Sequence, residues 1–272
     1  MDSTKNIMEM SRERDFPGAC RVRTKYAILS SPRSGSTLLA RMLFETRMAG
    51  DPLEYLSPYL LTLGRQQTGK TNLSYQDFVE LMVSRRTSEN GLFGMQIHYS
   101  QFLSAFTSGK ITADMIKFIR GFDKLIWVRR RDRLRQAVSF AIARHTKAWS
   151  SEEETTIDLS NAAEIHPVQS VKALSTVCAS DAGWEMLIKA LNLNVYVLWY
   201  EDLADDYQEQ SLGALRYLGL DVEATKIPDP PIRRQTTDLN EQVLEHLITY
   251  LGRSASKLYR PPHNENANTR AC

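Results

Sequence analysis

The sequence predicts an α/β fold in which a central parallel β-sheet is flanked by helices. Short apolar segments typical of buried strands alternate along the 272-residue chain with longer segments of helical periodicity. Strands separated by helices favour βαβ units, whose strands run parallel in one sheet. Hydrophobic residues make up 42% of the chain, which is enough for a sizeable core.

Four segments are predicted strands, because apolar and β-branched residues run through them. In chain order they are residues 26–29, 91–98, 124–128 and 193–200. The first ends at a loop of serine, proline and glycine, and the third runs directly into a series of arginines. Ligands of parallel sheets bind beyond the carboxyl ends of the strands. The loops expected to carry the site therefore follow Leu29, His98, Val128 and Tyr200.

The helices are predicted from apolar residues at helical spacing and from capping residues. They cover residues 38–43, a segment that starts at Ser74, and residues 114–122, 133–147, 168–191, 208–218 and 240–251. Ser74 is a typical N-cap, with Asp77 in the first turn. Trp184, Leu187 and Leu191 recur on one face of the longest helix.

The composition predicts a single cytoplasmic domain. Residues 1–22 are expected to form a flexible leader, 23–255 one α/β domain and 256–272 a flexible tail. The leader lacks the apolar run of a secretory signal, and no segment approaches membrane-spanning length. Three scattered cysteines indicate neither a disulfide framework nor a zinc site. The formal net charge of +2 argues against a general nucleic-acid binder.

The loop after the first strand has the architecture of a phosphate-binding loop. A strand, a loop of small residues and a helix follow one another, so backbone N–H groups and the helix dipole favour an anion there. The loop donors are Arg33, Ser34, Gly35, Ser36 and Thr37. Ser36 stands where a Walker A motif has its lysine, so we expect a 5′-phosphate site without the lysine and magnesium of NTP hydrolysis.

A literal Walker A pattern occurs at residues 64–71, GRQQTGKT. The preceding segment contains Pro58 and no β-branched run, so it is a poor central strand. We therefore interpret residues 64–71 as a polar surface loop.

A second anion site is predicted after the third strand. Arg130 lies at the strand end and Ser139 two helical turns further on, so the two could converge on one anion. Their neighbours Arg129, Arg133 and Arg135 are better explained as a basic surface patch. Two anion sites on neighbouring strand ends suit a nucleotide that carries phosphates at both its 5′ and 3′ ends.

Four segments together resemble the bacterial carbohydrate sulfotransferases that use 3′-phosphoadenosine-5′-phosphosulfate (PAPS). These enzymes include the trehalose 2-sulfotransferase type and its Nod-factor and lipopolysaccharide relatives. The segments are residues 31–39 (SPRSGSTLL), 49–55 (AGDPLEY), 130–140 (RRDRLRQAVSF) and 231–235 (PIRRQ). The resemblance implies a P-loop-NTPase-like sheet, a carbohydrate or glycolipid acceptor, adenosine 3′,5′-bisphosphate as product and no metal ion. It also implies a homodimer and allows peripheral contact with a membrane.

The resemblance assigns roles to the site residues. Residues 33–37 would hold the 5′-phosphosulfate, and Arg130 with Ser139 would hold the 3′-phosphate. Arg234 and Gln235 would close over the nucleotide.

Glu54 matches the family's catalytic glutamate, and His98 is a rival base because histidine's pKa suits proton transfer. Asp51, before a proline, reads as a turn residue. Relatives tend to carry lysine where this chain has Gln96, so Arg33 or another cation must stabilise the leaving group. Trp149 could stack on a sugar ring.

The alternatives to a sulfotransferase are a P-loop kinase or NTPase and a non-catalytic nucleotide-binding module.

Overall fold

A four-stranded parallel β-sheet forms the centre of the protein. The computed structural model describes residues 10–17, 21–106, 111–149, 165–221, 226–230 and 238–258. Within these ranges the strands are β1 (Thr24–Ser30), β2 (Leu92–His98), β3 (Lys124–Arg129) and β4 (Tyr196–Trp199). They lie in the order β2–β1–β3–β4, and every neighbouring pair is parallel. The predicted fold class, a central parallel sheet flanked by helices, is confirmed.

Helices connect the strands and cover both faces of the sheet. In the described ranges they are α1 (Ser36–Glu45), α2 (Pro58–Thr68), α3 (Tyr75–Arg86), α4 (Tyr99–Phe106), α5 (Ala113–Arg120), α6 (Arg133–Thr146), α7 (Pro167–Leu191), α8 (Tyr200–Asp205), α9 (Tyr207–Leu218) and α10 (Asp238–Leu258). All four predicted strands and all seven predicted helices are present. The prediction missed α2, α4 and α8, and the strand predicted over 193–200 is only four residues long because α8 begins at Tyr200.

Alternating side chains of β1 pack on opposite faces of the sheet, as the pleat of a strand requires. Ala27 and Leu29 join a cluster that includes Trp184 of α7, whereas Tyr26 and Ile28 join a cluster formed with α1 and α9. All four β1 side chains are fully buried. A strand covered on both faces reads as a continuous apolar run, which is why β1 was visible in the sequence.

The Walker-like residues 64–71 do not form the expected surface loop. Gly64 lies inside α2, which begins with proline at its first turn, a favoured position because the helix needs no N–H there. A Cβ at Gly64 would lie 2.5 Å from the ring of Phe78 on α3, so this glycine serves helix packing. The segment begins inside a helix and does not follow directly after a strand, so it lacks the context of a phosphate-binding loop.

Residues 10–17 fall within the segment expected to be a loosely packed leader. In the structure, Met10 and Phe16 are buried, and Arg14 reaches the carboxylate of Asp51. This stretch is therefore packed against the domain. No helix of the described residues is both long and apolar enough to cross a membrane.

Candidate active site

The carboxyl ends of the strands meet at one edge of the sheet. Ser30, the last residue of β1, lies opposite His98 of β2 and Val128 of β3. Arg129, at the end of β3, lies opposite Trp199 of β4. The loops that carry the predicted site residues are therefore brought together at this edge.

The loop between β1 and α1 has a backbone that requires glycine at one position. Gly35 has a φ of 91°, and a Cβ there would lie 2.4 Å from Cδ2 of Tyr200. Arg33 also adopts a left-handed φ, 62°, which is uncommon outside glycine. Such conformations persist only where the surroundings hold them, and they cluster at functional sites.

Hydrogen bonds from α6 hold this loop, but the hydroxyl of Ser34 takes no part in them. Gln136 donates from Nε2 to Ser31 Oγ at 3.0 Å and to the carbonyl oxygen of Pro32 at 2.8 Å. Ser34 Oγ is buried and has no hydrogen-bond partner among the residues that the structure describes. A buried hydroxyl without a partner is unusual and needs an explanation.

A phosphate group would satisfy the donors at this loop. The first N–H groups of a helix have no acceptor within that helix, which applies to Ser36 and Thr37 at the start of α1. Together with Ser34 Oγ they form a donor set that matches the acceptor oxygens of an anion. The loop residues therefore fit the 5′ end of a nucleotide.

Arg33 joins the two predicted anion sites. Its Nε donates to Ser139 Oγ at 3.0 Å, and its Nη1 donates to the carbonyl oxygen of Trp149. Arg130 donates from Nη1 to the carbonyl oxygen of Arg33 at 3.4 Å, and its guanidinium lies 4.7 Å from the centre of the Tyr200 ring. The two cationic groups that the sequence placed on separate loops form one cluster.

The other arginines after β3 have structural partners. Arg131 makes a bidentate pair with Asp202, at 2.6 and 2.8 Å. Arg133 pairs with Asp181 on α7, and Arg135 lies 3.0 Å from Glu241 on α10. Arg129 stacks 4.0 Å from the Trp127 ring. Arg133 and Arg135 thus link α6 to α7 and α10, and Arg131 links the loop after β3 to α8, so these side chains do not form an unpaired basic patch.

The acidic residues after β4 are also engaged. Glu201 accepts hydrogen bonds from the backbone N–H groups of Arg131 and Asp132, at 3.0 and 3.1 Å. Burial alone would raise the pKa of the Glu201 carboxyl, but these backbone donors outweigh it and lower that pKa. A kinase or NTPase would need carboxylates at a strand end for magnesium, and here Glu201 and Asp202 hold the loop after β3 instead. The described residues contain no group of three or more potential metal ligands.

Glu54 and His98, the two rival bases, are hydrogen-bonded to each other. His98 Nε2 lies 3.1 Å from Glu54 Oε1, and His98 Nδ1 lies 2.9 Å from Ser30 Oγ. Ser30 directly precedes the phosphate loop, and Trp184 Nε1 donates to its carbonyl oxygen at 2.9 Å. The carboxylate–imidazole pair is thus anchored to the end of β1.

Two glutamines also contact the carboxylate of Glu54. Gln96 Nε2 donates to Oε1 at 3.1 Å, and Gln101 Nε2 donates to Oε2 at 2.5 Å. Gln96, where a lysine had been expected, therefore contacts the carboxylate. The side-chain amide oxygen of Gln101, Oε1, is buried and has no hydrogen-bond partner among the described residues. Glu54 fixes the orientation of the Gln101 side-chain amide, because the flipped amide would place Gln101 Oε1 against the carboxylate oxygen Oε2 of Glu54.

The charge of His98 depends on Glu54. Burial disfavours the imidazolium, but the negative charge of Glu54 and its hydrogen bond favour it, and the pKa of His98 is raised. Among the described residues, Glu54 is the charged group that acts on this ring.

Asp51 is structural, as its turn context suggested. Its carboxylate is buried and pairs with Arg86 Nη1 at 2.5 Å and Arg14 Nη2 at 2.5 Å. Tyr55 donates to its backbone carbonyl at 2.5 Å. A carboxylate held by two guanidinium groups is a poor base, so Asp51 does not rival Glu54.

Sequence reasoning singled out neither Ser30, Gln101 nor Tyr200. A serine or glutamine at an element end carries no signal of its own; the position after a predicted strand was the only clue. Arg234 and Gln235, predicted to close over the nucleotide, lie outside the described residues. Trp149 is 45% exposed at the end of the helix that carries Ser139.

Comparisons with known proteins show the family and the fold of the chain. The family described as Stf0 sulphotransferase matches residues 25–247. Trehalose 2-sulfotransferase from Mycolicibacterium smegmatis is 27% identical over 256 residues, which cover 82% of this chain and 93% of that protein. A sulfotransferase from Alicyclobacillus acidocaldarius has a crystal structure similar to this one, with a TM-score of 0.50 and 14% identity, over 88% of this chain and 97% of that chain.

The structural likeness shows the fold, and it confirms the P-loop-NTPase-like sheet that the resemblance implied. The family match spans most of the chain and contains both the phosphate loop and the β3–α6 cluster. The chain belongs to the Stf0 sulphotransferase family.

Proposed function

We propose that this protein transfers a sulfuryl group from PAPS to a hydroxyl group of a carbohydrate, with Glu54 as the general base. One observation carries the proposal: the phosphate loop lies between a cationic cluster and a carboxylate. On one side Arg33 contacts Ser139 and Arg130, and on the other Ser30 leads through His98 to Glu54.

The donor set supports a nucleotide with two anionic ends. Ser34 and the start of α1 offer hydrogen-bond donors for the 5′ end. Arg130 and Ser139 offer a guanidinium and a hydroxyl for the 3′-phosphate, and guanidinium groups suit phosphate because they bind it in a bidentate manner. Arg33 lies between the two groups and is the cation best placed to stabilise the leaving phosphate.

When bound, PAPS supplies the sulfuryl group and a leaving group that is already a stabilised phosphate. Glu54 accepts the proton of the acceptor hydroxyl while that oxygen bonds to sulfur and the bond from sulfur to the phosphate oxygen breaks. The positive charges and N–H donors of the loop stabilise the charge that develops on the leaving oxygen.

The surroundings of Glu54 support an acceptor rich in hydroxyl groups. The side-chain oxygen Oε1 of Gln101 lies next to the candidate base and is a hydrogen-bond acceptor without a donor among the described residues. A sugar would present a second hydroxyl close to the reacting one and could satisfy this oxygen. Trp149 offers an exposed ring near the cationic cluster. The name of the relative from Mycolicibacterium smegmatis makes trehalose the first acceptor to examine.

Calorimetry tests the donor, and isotope transfer tests the acceptor. We expect adenosine 3′,5′-bisphosphate to bind in the micromolar range or tighter without metal, and ATP with magnesium to bind at least about tenfold more weakly. With radiolabelled PAPS, label should move to trehalose or to another member of a panel of free and lipid-linked saccharides. Tighter binding of ATP with magnesium, or failure to label any saccharide, would contradict the proposal.

A further inference from the structure

Ser30, His98 and Glu54 form a hydrogen-bonded chain across three elements of the fold. We propose that His98 is a positioning residue that holds Glu54 and sets its charge state, and that Ser30 fixes the orientation of the His98 ring. This inference rests on the proposed role of Glu54, since His98 is assigned to act through that carboxylate rather than as a base of its own.

Both ring nitrogens of His98 are engaged by protein groups. Nδ1 contacts Ser30 Oγ at 2.9 Å and Nε2 contacts Glu54 Oε1 at 3.1 Å. The side chain of His98 is 12% exposed, whereas that of Glu54 is 33% exposed. An acceptor hydroxyl can therefore approach the carboxylate more readily than either ring nitrogen.

Ser30 allows the ring to keep one orientation in both of its charge states. An ionised carboxylate only accepts hydrogen bonds, so Nε2 must carry the proton that faces Glu54. When His98 is neutral, Nδ1 accepts from the Ser30 hydroxyl; when it is protonated, Nδ1 donates to the same oxygen. A serine hydroxyl can rotate to serve both roles. Ser30 is fully buried, so its hydroxyl is held beside the ring away from solvent.

The charge state of the pair controls the basicity of Glu54. The amides of Gln96 and Gln101 also contact the carboxylate but are neutral at every pH. An imidazolium beside Glu54 stabilises the carboxylate and makes it a weaker base. A neutral imidazole leaves a stronger base with the same hydrogen bond. Since the pKa of His98 is raised, the turnover rate should increase with pH through a value above about 6.5, the ordinary pKa of histidine.

The kinetic test compares His98→Gln with Glu54→Gln in the full-length protein. His98→Gln retains an N–H donor, so we expect kcat to fall about tenfold, and its rise with pH to move to lower pH because the titrating imidazole is gone. Glu54→Gln should lower kcat at least about 100-fold at every pH. Neither variant should change the affinity for adenosine 3′,5′-bisphosphate more than about twofold. Greater activity of Glu54→Gln than of His98→Gln would overturn the inference.

A second test needs no activity. The ring signals of His98, followed by NMR across pH, should titrate above about 6.5 in the native chain and at lower pH in Glu54→Gln. Ser30→Ala should shift the Nδ1 signal of His98, because it removes the hydroxyl that this nitrogen contacts, while Glu54 keeps the proton of the neutral ring on Nε2. An unchanged His98 titration in Glu54→Gln overturns the inference even if transfer activity is found. If the native chain does not bind adenosine 3′,5′-bisphosphate, that result contradicts the proposed function instead.

Discussion

Arg33 Nε donates a hydrogen bond to Ser139 Oγ across 3.0 Å. The two residues are 106 positions apart in the chain, Arg33 in the loop after β1 and Ser139 in α6, the helix that follows β3. This contact places the cation of the phosphate loop beside the hydroxyl assigned to the opposite end of the nucleotide. Under the proposed function, a single side chain would therefore lie close to both phosphates.

Arg130→Ala should discriminate between nucleotides. We expect the affinity for adenosine 3′,5′-bisphosphate to fall by about 10- to 100-fold, which corresponds to the loss of one hydrogen bond to a charged group. The affinity for adenosine 5′-monophosphate should fall much less. Calorimetry measures both affinities. Arg131→Ala is the matched control, because Arg131 pairs with Asp202 and should leave both affinities nearly unchanged. Equal losses for the two nucleotides in Arg130→Ala would remove Arg130 from the 3′ site.

Gly35→Ala should damage the phosphate loop through a steric clash. The added Cβ would lie 2.4 Å from the ring of Tyr200, so the loop or the ring must move. Bisphosphate binding should weaken at least about tenfold, equivalent to the loss of one charge-assisted hydrogen bond. Gly219→Ala is the control: its φ is 82°, but nothing lies within 4 Å of the new Cβ.

Backbone strain alone should make Gly219→Ala about 1 kcal/mol less stable, without an effect on binding. Urea unfolding measures the stability of both variants. If Gly35→Ala binds the bisphosphate as the native chain does, the loop does not approach the ligand as described.

Asp51→Asn should destabilise the fold strongly. The substitution removes the buried one of the two carboxylates that pair with the buried guanidinium of Arg86, while Asp15 stays 2.9 Å from its Nε, and breaking a buried pair costs about 3–5 kcal/mol. The free energy of unfolding from urea titration is the measurement. Asp202→Asn breaks an exposed pair with Arg131, so its stability should change little. A small effect of Asp51→Asn would show that the N-terminal stretch does not depend on this carboxylate.

Gln101→Leu should raise the acceptor KM by about tenfold, because it removes the buried oxygen that would accept a sugar hydroxyl. Affinity for the bisphosphate should stay the same. Kinetics with trehalose, or with whichever saccharide is labelled, measure the effect. The variant also loses the amide that donates to Glu54, so kcat should fall for every acceptor, whereas an acceptor analogue without the neighbouring hydroxyl should have the same KM with the native chain and the variant. A KM that is unchanged for every acceptor would remove Gln101 from the acceptor site.

The fold class and the position of the glycine-containing loop between β1 and α1 could be predicted from sequence because both depend on neighbouring residues. A strand buried on both faces is an apolar run, and the loop that follows β1 needs small residues at fixed positions. Short helices were missed where no spacer separates them from a strand. Tyr99 begins α4 directly after β2, so the apolar run gives no sign of the change in periodicity.

The sequence alone determined the order of strands and helices, the phosphate loop and a short set of candidate side chains. Only the tertiary structure decided how those side chains are paired. It placed His98 on Glu54 and buried Asp51 between two arginines, contacts that join residues 35 to 44 positions apart. Periodicity follows from the local geometry of the chain, but such pairings depend on how the strands align in the sheet and how the helices pack on it.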